Sequence, residues 1–207
     1  MPHDSMCCHH RRQMVDQSEI RELSRLYGVP LHKQYDVKAG GSILQYRWRK
    51  DSDRRAEVVF AIQGPGEQLW LHTKHSYEYP IYRLPTGGVD WDERVEDALR
   101  REVAEETGLT SLKIQRFVAL IEYRFHRNDS HTRFASYLFL LQNMNGKLMA
   151  PDNSDEVAEF RPLLPRQLPQ ASADLRNLIG KRREWGHWRA IAHDVLYESL
   201  IGYQENR

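Results

Sequence analysis

The chain has 207 residues, 40% of them hydrophobic and 29% charged, which excludes disorder throughout and allows a packed core. A formal net charge of +1 excludes a global field that would gather nucleic acid or an anionic membrane, so any anion site has to be local. The two cysteines, Cys7 and Cys8, are adjacent, which excludes a disulfide framework and suits a reducing compartment.

Taken in chain order, Met1 to Met14 is polar and rich in His and Arg, without the apolar stretch of a signal peptide. No apolar run is long enough to span a bilayer. These features predict a cytoplasmic protein that makes no use of a membrane and no use of nucleic acid. The Cys7-Cys8-His9-His10 cluster offers metal ligands, but its spacing fits no common zinc pattern, and residues 1–17 read as a flexible tail.

Ser18 is placed to cap a helix carrying Ile20, Leu23, Leu26 and Tyr27 on one face, stopped by Gly28 and Pro30. Ile43, Leu44, Tyr46 and Trp48 suggest a strand. The run Val58 to Ile62 predicts a buried strand over Arg55 to Gln63. After the Gly64-Pro65-Gly66 turn, Leu69 to Thr73 alternates as a second strand, and the two read as a hairpin. Tyr77 to Val89 reads as loop. A helix is expected over Glu93 to Thr107, capped by Asp90 or Asp92, with Gly108 past its end. Ile114 to Phe125 and Phe134 to Leu141 are strand-like and flank a polar tip, His126 to Arg133. Val157 to Leu164 suggests one more strand, and Arg182 to Tyr203 carries its apolar residues at helical spacing. The expected fold is therefore α/β, a mixed sheet sandwiched by helices.

The Glu93–Thr107 helix is unusual on a helical wheel. Val95, Ala98, Leu99 and Val103 share a core-facing side, while Asp97, Arg100, Ala104 and Thr107 fall opposite, toward water. Glu102 and Glu106 project close to the middle of the apolar side, and Glu105 lies at its edge, all within one another's reach. Three inward carboxylates repel one another, lose hydration, and sit at the helix end where the dipole disfavours negative charge. Arg101 supplies one compensating charge. A hard divalent cation, Mg²⁺ or Mn²⁺, with oxygen ligands is the economical remainder. The bland alternative is a solvated acidic helix end. The pair Gly87-Gly88, free to approach a ligand closely or to adopt positive φ, favours the metal site.

Gly87, Glu93, Arg101-Glu102-Val103, Glu105-Glu106 and Gly108-Leu109 reproduce, at every constrained position and spacing, the signature box of the Nudix hydrolase family, which the chain resembles. The resemblance implies a Nudix-like α/β/α sandwich with N- and C-terminal helices added. It implies a catalytic domain over 55–168, preceded by a helix-and-strand extension over 18–54 and followed by a helical extension over 169–207. It assigns Glu102, Glu105 and Glu106, with the Gly87 carbonyl, to the metal. Arg101 orients the glutamates and Glu93 supports them. The implied activity is Mg²⁺-dependent hydrolysis of a diphosphate bond in a nucleoside diphosphate-linked small molecule. The alternative is a non-catalytic module of the same fold that senses a nucleotide. The general base is expected among Glu105, Glu106, Glu156 and Glu159.

Substrate contacts are expected from Arg83, Tyr123, Arg124, Arg127 and Glu156. The basic tip, with His126, His131 and Arg133, could clamp a phosphate or be an ordinary solvated turn. Tyr77, Tyr79 and Tyr82 could stack a base or pack, and Trp185 and Trp188 could line the pocket or dock the last helix, docking being the favoured reading. The sequence leaves a homodimer through the terminal helices open.

Overall fold

The computed structural model describes residues 13–47, 54–109, 113–143, 148 and 157–204. Among the described residues, five α-helices and seven strands run in the order α1 (Gln17–Tyr27), β1 (Leu31–Lys38), α2 (Ser42–Arg47), β2 (Arg54–Gln63), β3 (Leu69–Lys74), β4 (Thr86–Asp90), α3 (Val95–Thr107), β5 (Lys113–Arg127), β6 (Ser130–Gln142), β7 (Val157–Leu163), α4 (Leu168–Arg176) and α5 (Arg183–Gln204). One mixed sheet has the order β1-β5-β6-β2-β3-β7, with β4 also paired to β2. The β1–β5 and β2–β6 pairs are parallel; the rest are antiparallel.

Alternation along β2 separates two cores. Val58, Phe60 and Ile62 face one cluster, with Leu23 of α1 and Val95, Ala98, Leu99 and Val103 of α3. Val59 and Ala61 face the other, with Ile43 of α2, Leu168 and Leu175 of α4, and Trp185, Trp188, Val195 and Leu196 of α5. The outcome is the α/β/α sandwich expected. β2 is buried along nearly its whole length because both faces are covered. Among the described residues, no helix is long and apolar enough to cross a membrane.

Several local expectations change. Ile43 and Leu44 lie in the short helix α2, and the strand nearby is Leu31–Lys38. Its alternation of Leu31, Tyr35 and Val37 is interrupted by Lys33, which ion-pairs with Glu198 of α5. Trp48 lies outside the described residues, as does the Cys7-Cys8-His9-His10 cluster. Asp16, not Ser18, caps α1, its carboxylate accepting from the Ser18 and Glu19 amides at 2.7 and 3.4 Å. The expected β2–β3 hairpin is a ladder of two residue pairs only, because β4 takes most of that edge. The end of the expected loop, from Thr86 to Val89, lies with Asp90 in strand β4. The His126–Arg133 tip narrows to a turn at Asn128-Asp129, with Asn128 at φ 50°. α4 escapes the sequence because prolines punctuate its approach.

α5 locks to the sheet partly through His193. The ring accepts from the Leu84 amide at Nε2 (3.1 Å), so Nδ1 carries the proton it gives to the Arg189 carbonyl (3.0 Å). Burial pushes the imidazole down to about 4, so it is neutral in the folded protein. A folded-state value below the unfolded one means stability is full above pH 6.5 and is lost as pH falls through 4. The loss expected from this group is on the order of 3 kcal/mol. Urea titrations between pH 7 and pH 4 should show a falling midpoint, with the slope reduced by about one proton in His193→Gln.

Candidate active site on the strand–helix unit β4–α3

α3 begins at Val95, two residues after the expected start, and ends at Gly108, whose φ of 69° suits a left-handed cap; its amide bonds the Ala104 carbonyl. β4 lies against it. Neither Gly87 nor Gly88 has positive φ; the reason for glycine at 87 is closeness. A Cβ there would stand 1.9 Å from Cδ and 2.0 Å from Cγ of Glu102, so the glutamate stem fills the volume any side chain would take. Glu102 is tied down by the Gly88 amide, which donates to its Oε1 at 2.9 Å.

Arg101 organises the rest. Its Nε and Nη2 donate to the two oxygens of Glu93 at 2.9 and 3.0 Å, a bidentate pair. Nη1 donates to Glu102 at 2.8 Å and to Glu105 at 3.3 Å, and Nη2 also reaches the Gly88 carbonyl at 2.9 Å. One guanidinium thus joins three carboxylates to the strand. Its hydrogen bonds hold Glu93 below the usual carboxylate range. Burial pushes Glu102 up, against the opposing pull of Arg101.

Glu106 faces the other way. It is 5% exposed and borders β3, with Lys74 Nζ 3.4 Å from Oε1 and His72 Nδ1 3.5 Å from Oε2. Burial pushes it up to about 7, with Lys74 and Arg83 opposing. Burial, with the charges of Arg83 and Lys74, also holds the fully enclosed His72 ring neutral. The 3.5 Å approach is therefore not a salt bridge, and Oε2 of Glu106 has no hydrogen-bond partner. Glu105, its side chain 59% exposed, stands at the rim. Among the described residues, no three acids, histidines or cysteines converge on a single point. The donor chemistry nonetheless fits a hard cation: oxygens only, one orphaned in a desolvated place, beside a strand with no side chain at 87.

The outward face of α3 differs from the wheel in one residue. Thr107 is buried, and its hydroxyl donates to the Val103 carbonyl at 2.6 Å.

The expected substrate contacts separate into groups. Arg83 is 4% exposed and already engaged with the Tyr77 hydroxyl, the Leu84 carbonyl and Thr86 Oγ1, at 2.9, 2.8 and 3.0 Å. Tyr123 is 3% exposed and packs edge-on to Trp188. Both line a one-water cleft of about 10 Å³ under α5, with Glu57, Arg189 and His193. Arg124 and Arg127 lie on β5, separated from β2 and β4 by β6, and Arg124 forms a bidentate pair with Asp36. They are not brought to the carboxylates. Glu159 alternates with Phe160, which stacks near His72, so it points to the opposite face, where the Tyr82 hydroxyl donates to it. Glu156 lies outside the described residues. Tyr77 packs against Trp185, and Tyr82 lies under the Arg161 guanidinium. Trp188 is fully buried among Tyr123, Phe125 and Phe134, which is the docking role expected.

Sequence reasoning missed His72 and Lys74, which alternation along β3 places on the Glu106 side. It also missed the buried pair of Glu57 with Arg189, at 2.8 and 2.9 Å, whose partners stand far apart in sequence.

The sequence pattern of the NUDIX domain matches residues 53–183. The chain is 34% identical to an ADP-ribose pyrophosphatase of Methanocaldococcus jannaschii over 124 residues, 60% of this chain and 70% of that protein. It is 41% identical to an RNA pyrophosphohydrolase of Caulobacter vibrioides over 61 residues, 29% of this chain; the match spans only 36% of that relative's length. Among solved structures, a UDP-X diphosphatase superposes with a TM-score of 0.48 at 18% identity, over 91% of this chain and 73% of that one. With the box residues gathered by Arg101 between β4 and α3, and the family pattern covering more than half its length, the chain belongs to the NUDIX domain family.

Proposed function

We propose that the chain is a divalent-metal-dependent pyrophosphohydrolase that cuts a diphosphate bond in a nucleoside diphosphate-linked small molecule. The observation that carries this reading is the Arg101-braced acid cluster with one desolvated, unpartnered oxygen on Glu106. The name of the M. jannaschii relative, an ADP-ribose pyrophosphatase, supports this substrate class, while that of the C. vibrioides relative, an RNA pyrophosphohydrolase, supports pyrophosphate hydrolysis in general.

In this reading Glu102, Glu105, Glu106 and the Gly87 carbonyl hold Mg²⁺ or Mn²⁺. The ion, when bound, supplies Lewis acidity toward phosphate oxygens. Arg101 fixes the direction of Glu102 and Glu105, and Glu93 fixes Arg101. Lys74 adds a positive charge beside Glu106, where an anionic substrate would otherwise meet carboxylates. The same reading takes the base from Glu105, at the rim, or Glu106, whose proton affinity burial raises when no cation is bound. Glu159 is set aside as base because it faces the other side of β7.

A panel of nucleoside diphosphate derivatives with Mg²⁺ and Mn²⁺, analysed for the bond cut, tests the reading. Metal-dependent release of phosphorylated products is expected. Nucleotide binding without release would instead favour a sensing module.

Glu105→Gln and Glu106→Gln should each slow turnover by about a hundredfold or more without unfolding the protein. Burial disfavours the charged form of Glu106, so metal-free Glu106→Gln should melt above wild type at pH 8. That gap should close toward pH 5, where the wild-type group takes up its proton. Gly87→Ala should leave the melting temperature within about 5 °C, because Glu102 can swing aside, while its displacement removes most of the turnover.

A further inference from the structure

α3 is not capped by its own N-cap side chain. The N-cap position is held by Arg94, not by the expected Asp90 or Asp92, and the Arg94 side chain makes no capping bond. The acceptor comes from α1. Oε1 of Glu19 accepts from the Val95 amide at 2.7 Å, across 76 residues of chain. Its Oε2 accepts from Arg55 Nη2 at 2.9 Å. The same Nη2 donates to the Glu93 carbonyl at 2.8 Å, and Nη1 donates to the Met14 carbonyl at 3.2 Å. The pair is sheltered, with the Arg55 and Glu19 side chains 6% and 10% exposed. α1 is in turn seated on the core by Leu23, with Ile20 and Tyr27 packed against the same cluster.

The peptide from Glu93 to Val95 is therefore clamped from two sides by groups of α1 and β2. The Glu93 side chain grips Arg101, and Arg101 grips Glu102, Glu105 and the Gly88 carbonyl. Hydrogen bonds on the backbone and on the side chain of Glu93, linked through that residue itself, join the N-terminal helix to the acid cluster. Glu19 lies outside the segment that matches the NUDIX domain, which begins at residue 53.

We propose that Glu19 is a positioning residue for the active site: α1 sets the start of α3 and, through Glu93 and Arg101, the aim of the acids that hold the metal. This rests on the metal-site reading above. An exposed ion pair, Arg94 with Glu22 at 2.6 Å, runs beside the same contact and adds little by itself. Glu19 offers what an exposed pair cannot, an acceptor and a charge delivered where the positive end of the helix dipole is sheltered from water.

The experiment uses the full chain, wild type, Glu19→Ala and Glu19→Gln. Two quantities are read: Mn²⁺ affinity by titration, and the Arg101 Nε–H signal in ¹⁵N-resolved NMR of the metal-free protein. Leu175→Ala, in the opposite core cluster, serves as a variant that loses stability without touching this path. In Glu19→Ala the Mn²⁺ dissociation constant should rise about tenfold and the Arg101 signal should broaden or shift. Glu19→Gln keeps an acceptor for Val95 and should recover part of both. Leu175→Ala should change neither. An unaltered Arg101 signal in both Glu19 variants overturns the proposal, as does a Mn²⁺ affinity no different from that of Leu175→Ala. If wild type itself takes up no Mn²⁺, the metal-site reading fails, and the Arg101 signal alone still decides whether α1 aims the cluster.

Discussion

The compensation of inward-facing negative charge is the constraint around which this molecule is arranged. Glu93, Glu102, Glu105 and Glu106 crowd the strand–helix unit, and the protein answers with resident cations of different character, Arg101 and Lys74 foremost, with Arg83 acting on Glu106 from further off. Arg101 uses its planar fork to bind several oxygens at fixed angles, so it supplies direction as well as charge. Lys74 stands near Glu106 at a distance longer than a good hydrogen bond and supplies charge with little direction. The proposed metal site thus has a rigid half on Arg101 and a loose, desolvated half on Glu106. Burial raises the proton affinity of both Glu102 and Glu106, opposed at the first by Arg101 and at the second by Lys74 and Arg83.

The fold serves this arrangement by holding α3 at a set distance from β4. Apolar residues Val95, Ala98, Leu99 and Val103 press the first part of the helix onto β2, while the glutamates follow on the same side as the helix runs past the sheet's apolar area. The closeness of Glu102 to Gly87 then makes spacing and aim a single variable. α5 covers the opposite face with aromatic packing and a buried ion pair, Glu57 with Arg189, next to the β2–β4 register that carries Gly88. That face holds the sheet still while leaving the acids on the other.

Much of this was legible in the sequence, for identifiable reasons. The α3 box is local: its meaning lies in spacing along one helix, and spacing survives in the chain. β2, β5, β6, β7 and α5 announce themselves by apolar period. What was not legible depends on partners distant in sequence. β1 is a strand because the edge of β5 receives it, despite Lys33. β4 is a strand despite two glycines because Glu102 occupies the space over one of them. Arg83 and Tyr123 have the chemistry of ligand contacts but are consumed by Tyr77, Thr86 and Trp188. The cap of α3 could not be read from its own neighbourhood, because the cap is on another helix.

The divided edge of β2 has a further consequence. Its first residues pair with β4 and its last with β3, so the chain between those strands, His75 to Pro85, leaves the ladder and returns to the same edge. The His72–Arg83 bridge, the Ile81 amide on Thr73 Oγ1, the Phe60 amide on the Pro85 carbonyl and the Leu84 amide on His193 stitch its ends back. Its outer part, His75 to Pro80, carries exposed or half-exposed residues and contributes no rung to the sheet. Extra residues inserted there would lengthen an overhang next to Lys74 without shifting any strand register and without touching the acid-bearing helix.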